Sequence, residues 1–221
     1  MKIAIIIPSY NAAGTLNLLL ARLLEFAPKH DIIVIDDGSS DSTAEAAKLS
    51  GVELIIHQHN RGKGAALRSG FELALDKGYE AVITIDADGQ HDPTFIPSFI
   101  NLIDTGHWDI IVGSRRNEFK RMSFARFLSN SITTMVVSIL AGTKILDSQS
   151  GYRIIRTRVL KSVKLKTSRY QMESELLIKA ARQGFKIGSL DITNIPGSTS
   201  HISHLKDTLR FVKMALQTLW T

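Results

Sequence analysis

No cysteine occurs among the 221 residues. A disulfide framework and a thiolate metal site are therefore both excluded, and any metal must be held by oxygen or imidazole. Long hydrophobic runs are missing too. Ile3 to Ile7 is stopped by Pro8, and the longest apolar stretch elsewhere, Ile132 to Ala141, is interrupted by Thr133, Thr134 and Ser138. Both fall well short of the ~20 residues of a spanning helix, so nothing here is expected to cross a bilayer alone. No low-complexity stretch offers a linker. The length suits a single well-buried domain.

What is present is unevenly charged. The net +6 divides into eight Lys+Arg against fifteen Asp+Glu in residues 1–112, a balance of −7, and nineteen against six in residues 113–221, a balance of +13. A basic half suits a phosphorylated substrate, an anionic lipid surface or nucleic acid, or is simply a solvated face. No recognised nucleic-acid motif accompanies it and the aromatics are not interleaved with the cations, so no nucleic-acid partner is expected.

Short β-branched runs at Ile3 to Ile7, Ile32 to Ile35, Val52 to Ile56, Ala81 to Ile85 and Ile110 to Val112 alternate with helical stretches. Continuous apolar runs suit strands covered on both faces, which predicts an α/β fold with a mostly parallel, Rossmann-like sheet flanked by helices. Helices are expected over Leu16 to Phe26, Ala44 to Leu49, Ala65 to Leu75, Ser123 to Leu140 and Glu173 to Gln183. A cap and first-turn proline stand at Asp92-Pro93, a turn at Asp147 to Gly151 and a further strand near Lys186 to Ile192. Residues 1–204 read as the catalytic domain. Residues 205–221 read as a C-terminal amphipathic helix, with Leu205, Leu209, Val212, Leu216 and Leu219 on one stripe and Lys206, Arg210 and Lys213 beside it. Such a helix is a candidate for membrane-surface contact, and packing on the core is its ordinary alternative.

The polar signatures fall where strands end. Strand one runs into Pro8-Ser9-Tyr10-Asn11, strand two into Asp36-Asp37-Gly38-Ser39, and the strand at 81–85 into Asp86-Ala87-Asp88. Open parallel sheets bind ligands at their carboxyl edge, so one site is implied. Asp86 and Asp88 are hard oxygen ligands, too few for a complete cage, and suit Mg²⁺ or Mn²⁺ shared with substrate phosphates; a plain surface turn is the alternative. Asp36 and Asp37 can accept from a nucleobase or ribose, or the segment can cap the next helix. Asn60 to Ala66 joins a strand to a helix, with backbone N–H groups and the cations Arg61 and Lys63 able to meet a diphosphate. It lacks the Gly-Lys-Ser/Thr ending of a P-loop, which argues against an ATPase.

The ordered series Pro-Ser-Tyr-Asn, Asp-Asp-Gly-Ser, Arg-Gly-Lys-Gly-Ala, Asp-Ala-Asp-Gly-Gln-His, Gly-Ser-Arg and Ser-Gly-Tyr-Arg resembles family 2 glycosyltransferases, and within them the polyprenyl-phosphate branch. The resemblance covers nearly the whole chain. It implies a GT-A fold and an inverting, metal-assisted transfer from a nucleoside-diphosphate sugar to a polyprenyl phosphate, at the cytoplasmic face of a membrane or beside a membrane partner. By the same resemblance Pro8, Tyr10 and Asp37 line the nucleotide pocket, with Arg61, Lys63, Asp86 and His201 also on the donor. Asp86, Asp88 and Gln90 surround the metal, Asp88 being catalytic. Arg115, Arg126 and Ser129 cradle the acceptor phosphate. Glu173 stands where many relatives place the base for a sugar hydroxyl; toward a lipid phosphate, already an anion, it is expected to orient the acceptor instead. A helix N-terminal carboxylate is its plain alternative.

Overall fold

The computed structural model describes residues 1–116 and 124–195, without the side chains of 124–127. Within them seven strands form one sheet: β1 (Ile3–Ser9), β2 (Ile32–Asp36), β3 (Glu53–Ile56), β4 (Ala81–Thr84), β5 (Ile110–Ser114), β6 (Arg153–Arg156) and β7 (Ile187–Asp191). Their spatial order is β3-β2-β1-β4-β6-β5-β7. All neighbours pair parallel except those of β6, which runs against β4 and β5. Six carboxyl ends therefore lie on one edge, together with the amino end of β6. Arg153 at that end pairs with Thr84 on one side and Val112 on the other.

Among the described residues seven helices cover the sheet: α1 (Ala13–Leu23), α2 (Thr43–Ser50), α3 (Lys63–Asp76), α4 (Ile96–Asp104), α5 (Phe124–Ala141), α6 (Thr157–Ser162) and α7 (Gln171–Arg182). Strand alternation sends Ile5, Ile7, Ile32, Val34 and Ile83 into one core with Leu16, Leu20, Ala46, Ala47 and Phe99. Ala4, Ile6, Ile33, Ile35 and Val82 enter the other, with Ala66, Phe71, Val137 and Leu176. Burial of both faces is why the strands read as unbroken apolar runs.

Helix ends follow local chemistry. The first N–H groups around α1 are met by the next loop, Ala12 N–H donating to Thr43 Oγ1 and Ala13 N–H to Asp41 Oδ2. Asp41 thus serves the start of α1 as well as its own loop. Gly51, at φ +68°, ends α2 in the left-handed conformation that glycine adopts without a Cβ penalty. Asp92 accepts from Thr94 N–H and Pro93 opens the following 3₁₀ turn, as the cap-plus-proline pattern predicts.

The sequence reading missed β6 and α6. The turn at Asp147 to Gly151 leads straight into β6, the reversed strand of an otherwise parallel sheet. The expected C-terminal helix lies outside the described residues.

Candidate active site

At the edge shared by β1 and β2, Pro8 is buried and Tyr10 is half exposed. Asn11 sits at φ +49°, a left-handed value that Asn tolerates, and its Oδ1 accepts from Ser40 N–H at 2.9 Å. The two loops are thereby tied together.

Asp37 is engaged by the neighbouring loop. Its Oδ1 accepts from Arg61 N–H at 3.0 Å and Oδ2 from Gly62 N–H at 2.7 Å, while His57 Nδ1 lies 2.7 Å from Oδ1. With the residue only 2% exposed, the carboxylate is consumed in holding the 57–62 loop.

The glycine-rich segment is also tied to its neighbours. The N–H groups of Arg61 and Gly62 go to Asp37, that of Ala65 to the carbonyls of Gly62 and Ser168, and that of Ala66 to Gly62. The glycines serve close packing: a Cβ on Gly62 would stand 2.8 Å from Ser168 O, and one on Gly64 2.7 Å from Arg169 O. This contact sets the start of α3 against the segment leading into α7.

That approach delivers Lys63 to the centre of the site. Its Nζ lies 2.6 Å from Asp86 Oδ1 and 3.1 Å from Glu173 Oε2. Burial alone would lower the lysine pKa, but the two carboxylates outweigh it and hold the group well above its ordinary value. Burial likewise works to raise the Asp86 pKa, and Lys63 more than reverses it. Asp88, next along the loop, goes the other way: burial and the neighbouring Asp86 charge raise it. Its Oδ1 accepts from Gln90 N–H at 3.0 Å.

Gln90 itself is buried, and its carbonyl accepts from Ile195 N–H. His91 is buried against the Tyr152 ring, with Nε2 4.0 Å from Asp86 Oδ2. Burial pushes the imidazole down to about 4, so it is neutral near pH 7. Behind Asp86 stands Gly151, whose missing side chain makes the room: a Cβ there would be 2.7 Å from the carboxylate carbon.

Arg115 is present at the edge but engaged. Its Nε and Nη2 donate to Asp147 at 2.9 and 3.1 Å, both residues being buried. This bidentate fork is the geometry expected for a phosphate, met here by a carboxylate of the same protein. Arg153, 1% exposed, donates to the carbonyls of Ser150, Ser148 and Glu173 at 2.7 to 2.9 Å. It joins the 147–151 turn to the first turn of α7.

Ser129 is half-buried on α5. The Arg126 side chain and His201 lie outside the described residues. Asp147 and Arg153 were missed as site residues, although the Ser-Gly-Tyr-Arg signature contained Arg153; an arginine that solvates itself on carbonyls has no partner visible in sequence.

Among the described residues no three His, Asp or Glu side chains gather into a metal cage. Asp86 and Asp88 fit a divalent ion that takes most of its ligands from elsewhere, as Mg²⁺ does when bound through one or two carboxylates and substrate phosphates. Glu173 Oε1, buried with no hydrogen-bond partner, leaves one further oxygen in the same cluster unsatisfied.

This edge, with its carboxylate pair and central lysine, belongs to a sugar-transferring enzyme of the GT-A class. Residues 4–164 match the family model described as "Glycosyl transferase family 2", and the chain is a member of that family. It is 30% identical to undecaprenyl-phosphate mannosyltransferase of Micrococcus luteus, over 87% of this chain and 83% of that protein. It is 32% identical to UDP-N-acetylglucosamine–dolichyl-phosphate N-acetylglucosaminyltransferase of Methanococcus voltae, over 87% and 85%. The fold matches glucosyl-3-phosphoglycerate synthase of Mycobacterium tuberculosis, solved with Mn²⁺, UDP and phosphoglyceric acid, at a TM-score of 0.77 and 19% identity, over 99% of this chain and 77% of that one.

Proposed function

We propose that this glycosyltransferase moves a sugar from a nucleoside-diphosphate donor to a polyprenyl phosphate, with inversion and with Mg²⁺ or Mn²⁺, at a membrane surface. The single observation that carries the reading is the joining of Asp86, Lys63 and Glu173 at one strand edge, with Asp88 beside them. The polyprenyl acceptor is supported by the names of the relatives from Micrococcus luteus and Methanococcus voltae.

When bound, the divalent ion neutralises charge on the departing nucleoside diphosphate. Asp86 and Asp88 would hold it. Tyr10, beside buried Pro8, offers an exposed ring for the nucleobase. The Arg115–Asp147 pair and Arg153 keep the 147–151 turn, and so Gly151 and Asp86, in place. The proposed acceptor cradle is Arg126 and Ser129 near the start of α5. A phosphate acceptor is already anionic and needs no general base, so Glu173, held by Lys63, would orient it.

A membrane location is supported by α5. Leu128, Ile132, Met135 and Ile139 recur at helical spacing and are 45–69% exposed, forming an apolar stripe on the outer face of that helix. Among the described residues no helix is long and apolar enough to cross a membrane.

The second reading, a sugar-hydroxyl acceptor with Glu173 as base, is favoured by the unpartnered Oε1 of that residue. Incubation with radiolabelled nucleotide sugars, polyprenyl phosphate vesicles and Mn²⁺ tests both. The first reading expects label in an organic-extractable, mild-acid-labile product whose anomeric configuration is opposite to the donor's. Label found only in a water-soluble oligosaccharide would replace it with the second.

A further inference from the structure

Asp86 already has a cation. The Lys63 ammonium lies 2.6 Å from its Oδ1, on the side that α3 presents because Gly62 and Gly64 pack against Ser168 and Arg169. Gly151 walls the carboxylate from behind. His91 Nε2 stands on the third side, 4.0 Å from Asp86 Oδ2.

We infer that Lys63 is the resident counter-ion of the donor-cation site: it holds Asp86 until a divalent ion arrives, then yields that oxygen and turns to Glu173. The inference rests on the reading of Asp86 and Asp88 as cation ligands. Two features of the structure carry it. An ammonium at hydrogen-bond distance from a carboxylate oxygen repels a divalent ion approaching the same carboxylate, so the two compete. The ammonium also has a second seat ready, since Glu173 Oε2 is 3.1 Å away and Glu173 Oε1 is buried without a hydrogen-bond partner.

The arrangement has two consequences. Without nucleotide, the site should hold a divalent ion weakly, because the ion must displace an internal cation with little negative charge of its own to bring. With nucleotide, the phosphates carry in the missing charge. Loading of the donor site would then reset the partner of Glu173, linking the donor to the residue proposed to orient the acceptor.

The test uses Mn²⁺ alone, titrated into nucleotide-free full-length protein and followed by the electron paramagnetic resonance signal of the free ion. Folded Lys63→Met is expected to bind Mn²⁺ about tenfold more tightly than wild type, within the usual range of coupling between two ligand sites. Equal or weaker binding by the variant overturns the inference while leaving the cation site itself standing. Absence of Mn²⁺ binding in both proteins removes the cation-site reading and the inference with it.

A measurement on the unaltered chain guards against a misfolded variant. In ¹⁵N-lysine-labelled protein, the Lys63 ammonium resonance is expected to shift as Mg²⁺ is added and to saturate with it. A resonance unmoved at saturating Mg²⁺ overturns the inference.

Discussion

Arg115 and Asp147 meet inside the protein with two short charge-assisted bonds, and each is the other's compensation. Removing one partner of such a pair leaves an uncompensated buried charge, so Asp147→Ala is expected to lose about 3–5 kcal/mol in urea unfolding, and the double change Arg115→Met, Asp147→Leu to recover most of it. Asp88 is only half-buried at a loop. Asp88→Asn should therefore keep the wild-type unfolding midpoint while Mn²⁺-dependent turnover falls about 100-fold or more, the scale of one lost charge-stabilising contact in the transition state. His91 gives a pH signature. Burial holds its folded pKa at about 4, below the ordinary imidazole value of 6.5, so the unfolded chain binds the extra proton first, and stability falls as pH drops from about 6.5 towards 4. His91→Phe, which keeps a ring against Tyr152, should flatten that slope in denaturation midpoints taken across the interval. The sequence showed Asp86, Asp88, Lys63 and Glu173 through their motifs. It did not show that Asp37 and Arg115 are occupied, because their partners lie 20 to 32 residues away and are set by the meeting of loops.

Among the elements, α5 shows the clearest mismatch between sequence and surroundings. Val137 and Ala141 enter the core, yet Ile132, Met135 and Ile139 on the opposite side remain exposed. If this stripe meets a bilayer, Ile132→Glu with Ile139→Glu should abolish sedimentation with anionic vesicles and leave the melting temperature within about 2 °C, since exposed sites away from packing change stability little. Equal pelleting of variant and wild type would separate α5 from the membrane. The helices of the first half were legible to within a turn because their apolar periodicity is strong. Those expectations began late, at Leu16 and Ala65 where α1 and α3 start at Ala13 and Lys63, since the opening turns are fixed by Asp41, Thr43 and the Ser168 backbone rather than by their own residues. β6 escaped for a different reason. Four residues, Arg153-Ile154-Ile155-Arg156, carry too short a pattern to distinguish a strand from a turn.

For the molecule as a whole, the parallel sheet and the gathering of motifs on one edge followed from unbroken apolar runs, each leading into polar residues. The strand order beyond β4 did not, because nothing local says that β6 belongs between β4 and β5. That placement has a consequence for how the protein is made. β1 to β4 can pair in turn as they leave the ribosome, each next to a strand already present, but β5 has no neighbour in that half of the sheet until β6 arrives. During synthesis β4 therefore stands as a raw edge of backbone donors and acceptors, the kind of surface that invites pairing with another chain. Seating β6 closes that edge and sets Gly151 behind Asp86 in the same motion, so a nascent chain should be most vulnerable to aggregation in the interval when it is also unable to bind its donor.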